Sequence, residues 1–187
     1  MLRRIDASII SDDNEKLKRH LDADYAALAD KLARQDIDIE KITDQASEFQ
    51  VAVPSWGTGT GGTRFARFPG EGEPRNIWEK LEDCAVINEM SGCTDSVSPH
   101  FPWDVVDDFS ELKQKADEFG LKWVSVNSNT FQDQRGQEHS FKYGSLSNTK
   151  KESRDLAIQH NLDVIGYGLQ LGAKSLTVWV GDGSNHP

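Results

Sequence analysis

Four short apolar segments, residues 49–53, 96–100, 121–126 and 175–180, alternate with longer stretches whose apolar residues recur at helical spacing. Strands separated by helices pair in parallel through βαβ crossovers rather than as hairpins, and this restricts the chain to an α/β fold. Each segment runs at its carboxyl end into glycine, proline, asparagine or aromatic residues: PSWG, PHFPW, NSNTF and WVGDG. Ligands bind at that end of the strands in α/β barrels and open α/β sheets alike. The polar and aromatic side chains are therefore delivered to one face.

The helices follow from the same pattern. Asp12 with Glu15 three residues on reads as a capping box, followed by a stripe of Leu17, Leu21, Tyr25, Leu28 and Leu32. A shorter helix starts near Asp38, with Ile39, Ile42 and Ala46 on one side. In residues 77–90 a face of Ile77, Leu81, Cys84 or Ala85, and Asn88 turns inward, and Glu79, Lys80, Glu82 and Asp83 face water. Residues 107–119 form a helix stopped by Gly120. A polar loop covers 127–148, and Thr149 caps a last helix that ends at Gly172. That helix carries Leu156, His160, Leu162 or Asp163, and Tyr167 near its buried edge.

Residues 51–75, VAVPSWGTGTGGTRFARFPGEGEPR, form a long loop after the first strand. Loops of this length in compact domains are usually functional or disordered. Phe65, Phe68, Arg64 and Arg67 argue for a site loop, because spacers rarely carry bulky rings. Gly57, Gly59 and Gly62 match G-x-G-x-x-G, but a dinucleotide site needs a helix to start on the third glycine. Pro69, Gly70, Gly72 and Pro74 forbid that helix, and Thr63 stands where a phosphate-binding P-loop needs Lys.

The 187 residues suit one domain, and 36% hydrophobic with 28% charged residues describes a soluble globular protein. A formal charge of -10 disfavours nucleic acid, including a metal-dependent endonuclease reading. No apolar run is long enough to span a membrane, and the amino terminus is not a signal peptide. Cys84 and Cys93 lack C-x-x-C spacing and read as reduced structural thiols of a cytoplasmic protein. Four strands are half of a (β/α)₈ barrel, so the chain is either a small open sheet or the front half of something longer.

Taken in order, the loop sequence above with DCAVI, SPHFPWD, NSNTF, HSFKYGSLS and LTVWVGDGSN resembles the amino-terminal half of bacterial L-rhamnose isomerases, over residues 7–187. The resemblance implies a xylose isomerase-like (β/α)₈ barrel: residues 1–48 as a helical extension of two helices, and 49–187 as its first four β/α units, with four parallel strands. It implies a homotetramer that interconverts aldose and ketose, L-rhamnose and L-rhamnulose, by a hydride shift between C1 and C2 with Mn²⁺ or another divalent metal. The family's metal ligands lie on later strands, so no metal ligand is expected in this chain and the chain alone is expected to be inactive. The alternative is a non-catalytic half barrel that binds sugar or assembles subunits.

By the same resemblance His100 is the group near the sugar ring oxygen, implicated in ring opening, and Trp56, Trp103 and Trp179 form the aromatic wall of the sugar pocket. Phe65 sits on the loop that reaches a neighbouring subunit's site. A strand-end histidine alone is more often a structural hydrogen-bonder, and tryptophans are commonly core. Three tryptophans at equivalent ends of parallel strands, however, point into one mouth. Trp78 and Trp123, within a helix and mid-strand, read as packing, and His139 and His160 as loop and helix-surface residues. Arg64, Arg67 and Arg75 read as interface residues. Asp104 and Asp182 are carboxylates by position only, Asp182 in GDGS holding a local turn, and His186 is too near the last residue to interpret.

Overall fold

The computed structural model describes residues 4–60 and 70–182. Helix α1 (Ala7–Ala33) starts earlier than the capping-box reading placed it: Asp6, not Asp12, is the cap, accepting the Ser8 N–H at 2.9 Å. Leu17, Leu21, Tyr25 and Leu28 of its apolar stripe are exposed, and no residue of the helix is buried. Helix α2 (Ile39–Ser47) is capped by Asp38, as its position before the apolar repeat predicts. Arg4 ties this region down, pairing with Glu82 at 2.6 Å while Glu89 takes the backbone N–H groups of Arg4 and Ile5.

Strand β1 (Ala52–Pro54) runs into a one-turn helix, α3 (Ser55–Thr58). The expected buried strand at 49–53 is thus shorter, later and largely uncovered, with Phe49 72% exposed. Helix α4 (Ile77–Ser91) buries Ile77, Leu81, Cys84, Ala85 and Asn88, as the spacing predicts. It also buries Lys80, which the sequence places in water, because the side chain finds a carboxylate inside.

Among the described residues six short strands are seen where four were expected. Strands β2 (Ser96–Ser98) and β3 (His100–Phe101) flank Pro99, which has no N–H to give a ladder. Strands β4 (Lys122–Trp123) and β5 (Ser125–Thr130) flank Val124. Parallel pairing gives one sheet of order β1-β2-β4 and another of order β3-β5-β6, with β6 (Ser175–Val180) at its edge. The Pro99 carbonyl still accepts the Asn127 N–H at 2.9 Å, so pairing stays in step across the break. Strand β5 takes in 127–130, which the sequence reads as loop; its polar side chains alternate between the two faces of the sheet and all four are buried.

Helix α5 (Phe109–Phe119) is capped by Asp108 and stopped by Gly120, whose φ of 72° is the left-handed conformation glycine adopts freely. Helix α6 (Lys151–Leu171) starts two residues after Thr149 with no side-chain cap, and Asn148 instead takes the Lys150 N–H. Its buried edge is Ser153, Ala157, Val164, Gly168 and Leu171; of the residues expected near it, Tyr167 packs against the core and Leu156 and His160 are half-buried, whereas Leu162 and Asp163 are exposed. Neighbouring strands follow chain order, and right-handed crossovers then put the connecting helices on one face of the sheets. There Leu81, Leu112, Phe119, Val97, Val126 and Val164 belong to one core, with Trp123 inside it and Trp78 packed against it. The other face carries Ser98, His100, Ser125 and Asn127. Among the described residues, no helix is long and apolar enough to cross a membrane.

Candidate functional site

The strand ends converge on His100. Trp56, the second residue of α3, places its ring 4.9 Å from the imidazole, and Trp103, three residues past His100, lies 4.7 Å away on another side. Trp179 from β6 is 6.2 Å from His100 and meets Trp56 edge-on at 5.9 Å. Phe131, just past β5, stacks at 6.3 Å. Phe131 was not singled out from the sequence, although it is the aromatic residue of the strand-end NSNTF.

Inside this cage His100 is 3% exposed, and among the described residues neither Nδ1 nor Nε2 has a hydrogen-bond partner. Buried polar atoms normally have one. Burial pushes the imidazole pKa down to about 4, and the Lys80 ammonium and His160 push the same way. The ring is therefore neutral at pH 7, well below the ordinary value near 6.5 that the sequence suggests.

The carboxylate of Asp104 sits beneath the cage. Its Oδ1 pairs with Lys80 Nζ at 2.6 Å, and its Oδ2 accepts the His100 backbone N–H at 2.7 Å and the Ser55 hydroxyl. With both oxygens engaged, Asp104 holds the backbone of His100 and the hydroxyl of Ser55 in place. Asn127 is a second residue the sequence did not single out, hidden in a stretch read as loop. Its amide donates to Ser98 Oγ at 2.6 Å and to the Pro99 carbonyl at 3.0 Å, and its oxygen accepts the Trp179 indole N–H.

The long glycine loop is closed at its base: the Thr60 N–H donates to the Pro74 carbonyl at 2.8 Å and the Thr60 hydroxyl to the Arg75 carbonyl. A Cβ on Gly59 would lie 2.4 Å from the Pro74 oxygen, so this junction needs glycine. Phe65, Arg64 and Arg67 lie outside the described residues, as does His186. Arg75 is exposed beside the loop base.

Other singled-out residues lie elsewhere. Asp182 does more than hold a local turn: it accepts from Ser145 N and Oγ and from Ser147 N, fixing a loop 35 or more positions away. Burial opposes its ionisation, but these hydrogen bonds together hold its pKa below the usual range. His139 is in a loop. His160 is half-buried, not a surface residue; burial lowers its pKa, against a hydrogen bond to the Phe101 backbone. Cys84 and Cys93 are free thiols, and burial pushes Cys84 up to about 12, leaving it a protonated packing group.

A divalent metal such as Mn²⁺ needs several convergent oxygen or nitrogen ligands. Among the described residues, no group of three or more His, Cys, Asp or Glu side chains could hold one. Asp104 and Asp182 are already engaged by Lys80 and by Ser145 and Ser147, and His100 stands among aromatic rings. The described residues do not fit such a metal.

No protein-family model matches the chain. It is 53% identical over 187 residues, the whole of its length, to a probable sugar isomerase of Rhizobium meliloti, covering 44% of that protein. It is 51% identical over 183 residues to a probable sugar isomerase of Mesorhizobium japonicum, covering 42% of it. The chain thus spans less than half the length of the curated relatives it matches. Among solved structures, an AP endonuclease of family 2 from Brucella melitensis is similar over 52% of this chain and 33% of its own, at 20% identity and a TM-score of 0.35. The α/β class and parallel pairing rest on the strand registers themselves.

Proposed function

We propose that this chain is part of an aldose–ketose isomerase, with L-rhamnose and L-rhamnulose as the substrate pair, and that its strands are the first half of a (β/α)₈ barrel. One observation carries the reading: a neutral imidazole with two unpartnered nitrogens, walled by aromatic rings at the carboxyl ends of parallel strands. The similarity of nearly all of this chain to part of two proteins named probable sugar isomerases supports it.

Opening a pyranose needs a proton removed from the C1 hydroxyl and a proton delivered to the ring oxygen. The C1–O5 bond breaks as the C1 carbonyl forms. A neutral imidazole has one nitrogen that accepts and one that donates, so His100 has both functions without a net change in charge. Trp56, Trp103 and Trp179 would lie against the C–H faces of the sugar and keep water out. Phe65, on the loop rooted at Thr60 and Pro74, would close the mouth of a neighbouring subunit in a cytoplasmic homotetramer. The hydride shift between C1 and C2 needs the two oxygens polarised, and the described residues place no group for that. The second reading is a chain that binds sugar or assembles subunits without catalysing the shift.

The test is a chimera of this chain with the part of the Rhizobium meliloti relative that it does not match. Formation of L-rhamnulose from L-rhamnose is expected. In His100→Asn the rate on ring-closed sugar should fall by the roughly 10²–10⁴-fold typical of a lost acid–base group. A folded chimera that binds L-rhamnose without converting any aldose would establish the second reading instead.

A further inference from the structure

The charge pair beneath the cage costs desolvation on both sides, since Lys80 and Asp104 are 1% and 0% exposed. Replacing such a pair by apolar groups is often neutral or stabilising, so net stability is a weak reason for keeping it. Its connections suggest another reason. Asp104 Oδ2 holds the His100 N–H, and the Asp104 N–H returns to the His100 carbonyl at 3.1 Å, closing residues 100–104 into one turn that carries both His100 and Trp103. The same oxygen holds Ser55, the residue before Trp56. Lys80 reaches in from α4, a helix whose buried face is part of the core. The imidazole and two of the cage rings, Trp56 and Trp103, are therefore referenced to one carboxylate, which is itself referenced to the core.

We propose that Lys80 and Asp104 are positioning residues that set the separation of His100 and Trp56. The carboxylate gathers the two backbones, and the ammonium neutralises it and anchors it to α4. Without Asp104, Ser55 and α3 lose their bond to the turn bearing His100. The Lys80 charge also helps keep the imidazole neutral, an electrostatic link that the same geometry produces. The purpose of the arrangement rests on the cage being the sugar mouth, but the arrangement itself is testable without sugar.

The decisive measurement uses the 187-residue chain and nuclear Overhauser contacts between the imidazole protons of His100 and the indole protons of Trp56 and Trp103. In Lys80→Met/Asp104→Leu, which removes both charges together, the circular dichroism spectrum and cooperative melt should be retained. The His100–Trp56 contacts should be lost, and the ring-current shift of the imidazole protons reduced. Ser55→Ala removes only the link to α3, and covers the case in which the double variant does not fold. There the His100–Trp56 contacts should weaken and the His100–Trp103 contacts remain. Unchanged His100–Trp56 contacts in either folded variant would overturn the proposal. If the wild-type imidazole and indole resonances did not respond to L-rhamnose, the sugar-mouth reading would fail while the positioning result stood.

Discussion

The indole N–H of Trp179 donates to Asn127 Oδ1 at 3.0 Å, diagonally across the β5–β6 pairing. The amide nitrogen of Asn127 points the other way, to Ser98 and Pro99. One side chain therefore joins three neighbouring strand paths just below the cage. Its burial, at 3% exposed, makes these bonds hard to replace with water. Asn127→Ala is expected to destabilise the chain by about 1–3 kcal/mol, the cost of unsatisfied buried groups. It should also free the Trp179 ring. With fluorotryptophan labelling, the Trp179 resonance should sharpen and move towards its solvent-exposed position; an unmoved resonance would show that packing alone holds the ring.

The burial of His100 makes folding sensitive to mild acid. Its folded pKa of about 4 lies below the ordinary 6.5, so between these values the unfolded chain binds a proton that the folded chain refuses. The stabilisation from keeping it neutral is fully present above pH 6.5, declines as pH falls from 6.5 to 4, and changes no further below that. The loss is on the order of 3 kcal/mol across the window. Burial shifts His160 in the same direction and adds to it. Urea midpoints measured from pH 7 to 4 should fall in the wild type and fall clearly less steeply in His100→Gln. Equal slopes would mean that His100 is not desolvated in solution.

Much of the fold is legible because burial on one side writes a period into the sequence. The face of α4 and the stop at Gly120 follow from spacing and from glycine's access to positive φ. The failures share a cause: polar residues doing interior work. Lys80 lies beside Glu79, Glu82 and Asp83 in the sequence, and only the tertiary approach of Asp104 separates it from them. The stretch 127–130 looks like loop because polarity usually means solvent, whereas Asn127, Ser128, Asn129 and Thr130 are all buried. At the candidate site, the strand-end positions of His100 and the tryptophans are readable from the chain. The two unpartnered nitrogens, and the place of Phe131 and Asn127 around the ring, depend on three-dimensional register and leave no periodic trace.

Two glycines of α6 should respond oppositely to alanine. A Cβ on Gly166 meets nothing within 4 Å, so Gly166→Ala is expected to stabilise by about 0.5–1 kcal/mol through helix propensity alone. A Cβ on Gly168 would come 3.0 Å from Val126 Cγ2, where α6 crosses β5. Overpacking costs typically 1–3 kcal/mol, which outweighs the propensity gain, so Gly168→Ala should be destabilising. Adding Val126→Ala should then cost less than Val126→Ala does in the wild type. Strict additivity in that cycle would show that the helix moves away to make room.

The outer face of α6 predicts how the isolated chain behaves at high concentration. Ile158, Leu162, Ile165 and Leu169 follow the i, i+4, i+7, i+11 spacing of a packing stripe, yet all four are exposed, Leu162 at 55% and Leu169 at 73%. They lie away from the buried edge of Ala157, Val164 and Gly168. Among the described residues β6 pairs only with β5, and its other edge offers backbone donors and acceptors along an apolar strand with Val178, Trp179 and Val180 exposed. An apolar helix face next to an unpaired strand edge is a template for association. Sedimentation velocity should show species larger than monomer that grow with concentration. Leu162→Glu/Leu169→Lys places charges on the exposed stripe without touching the core, and should shift the distribution towards monomer while leaving the melt unchanged. Association unaffected by this pair would move the sticky surface to the exposed stripe of α1, where Leu17→Glu/Leu21→Lys should then abolish it. A single monomeric boundary in the wild type at every concentration would refute both, and would show that this face is stable in water as it stands.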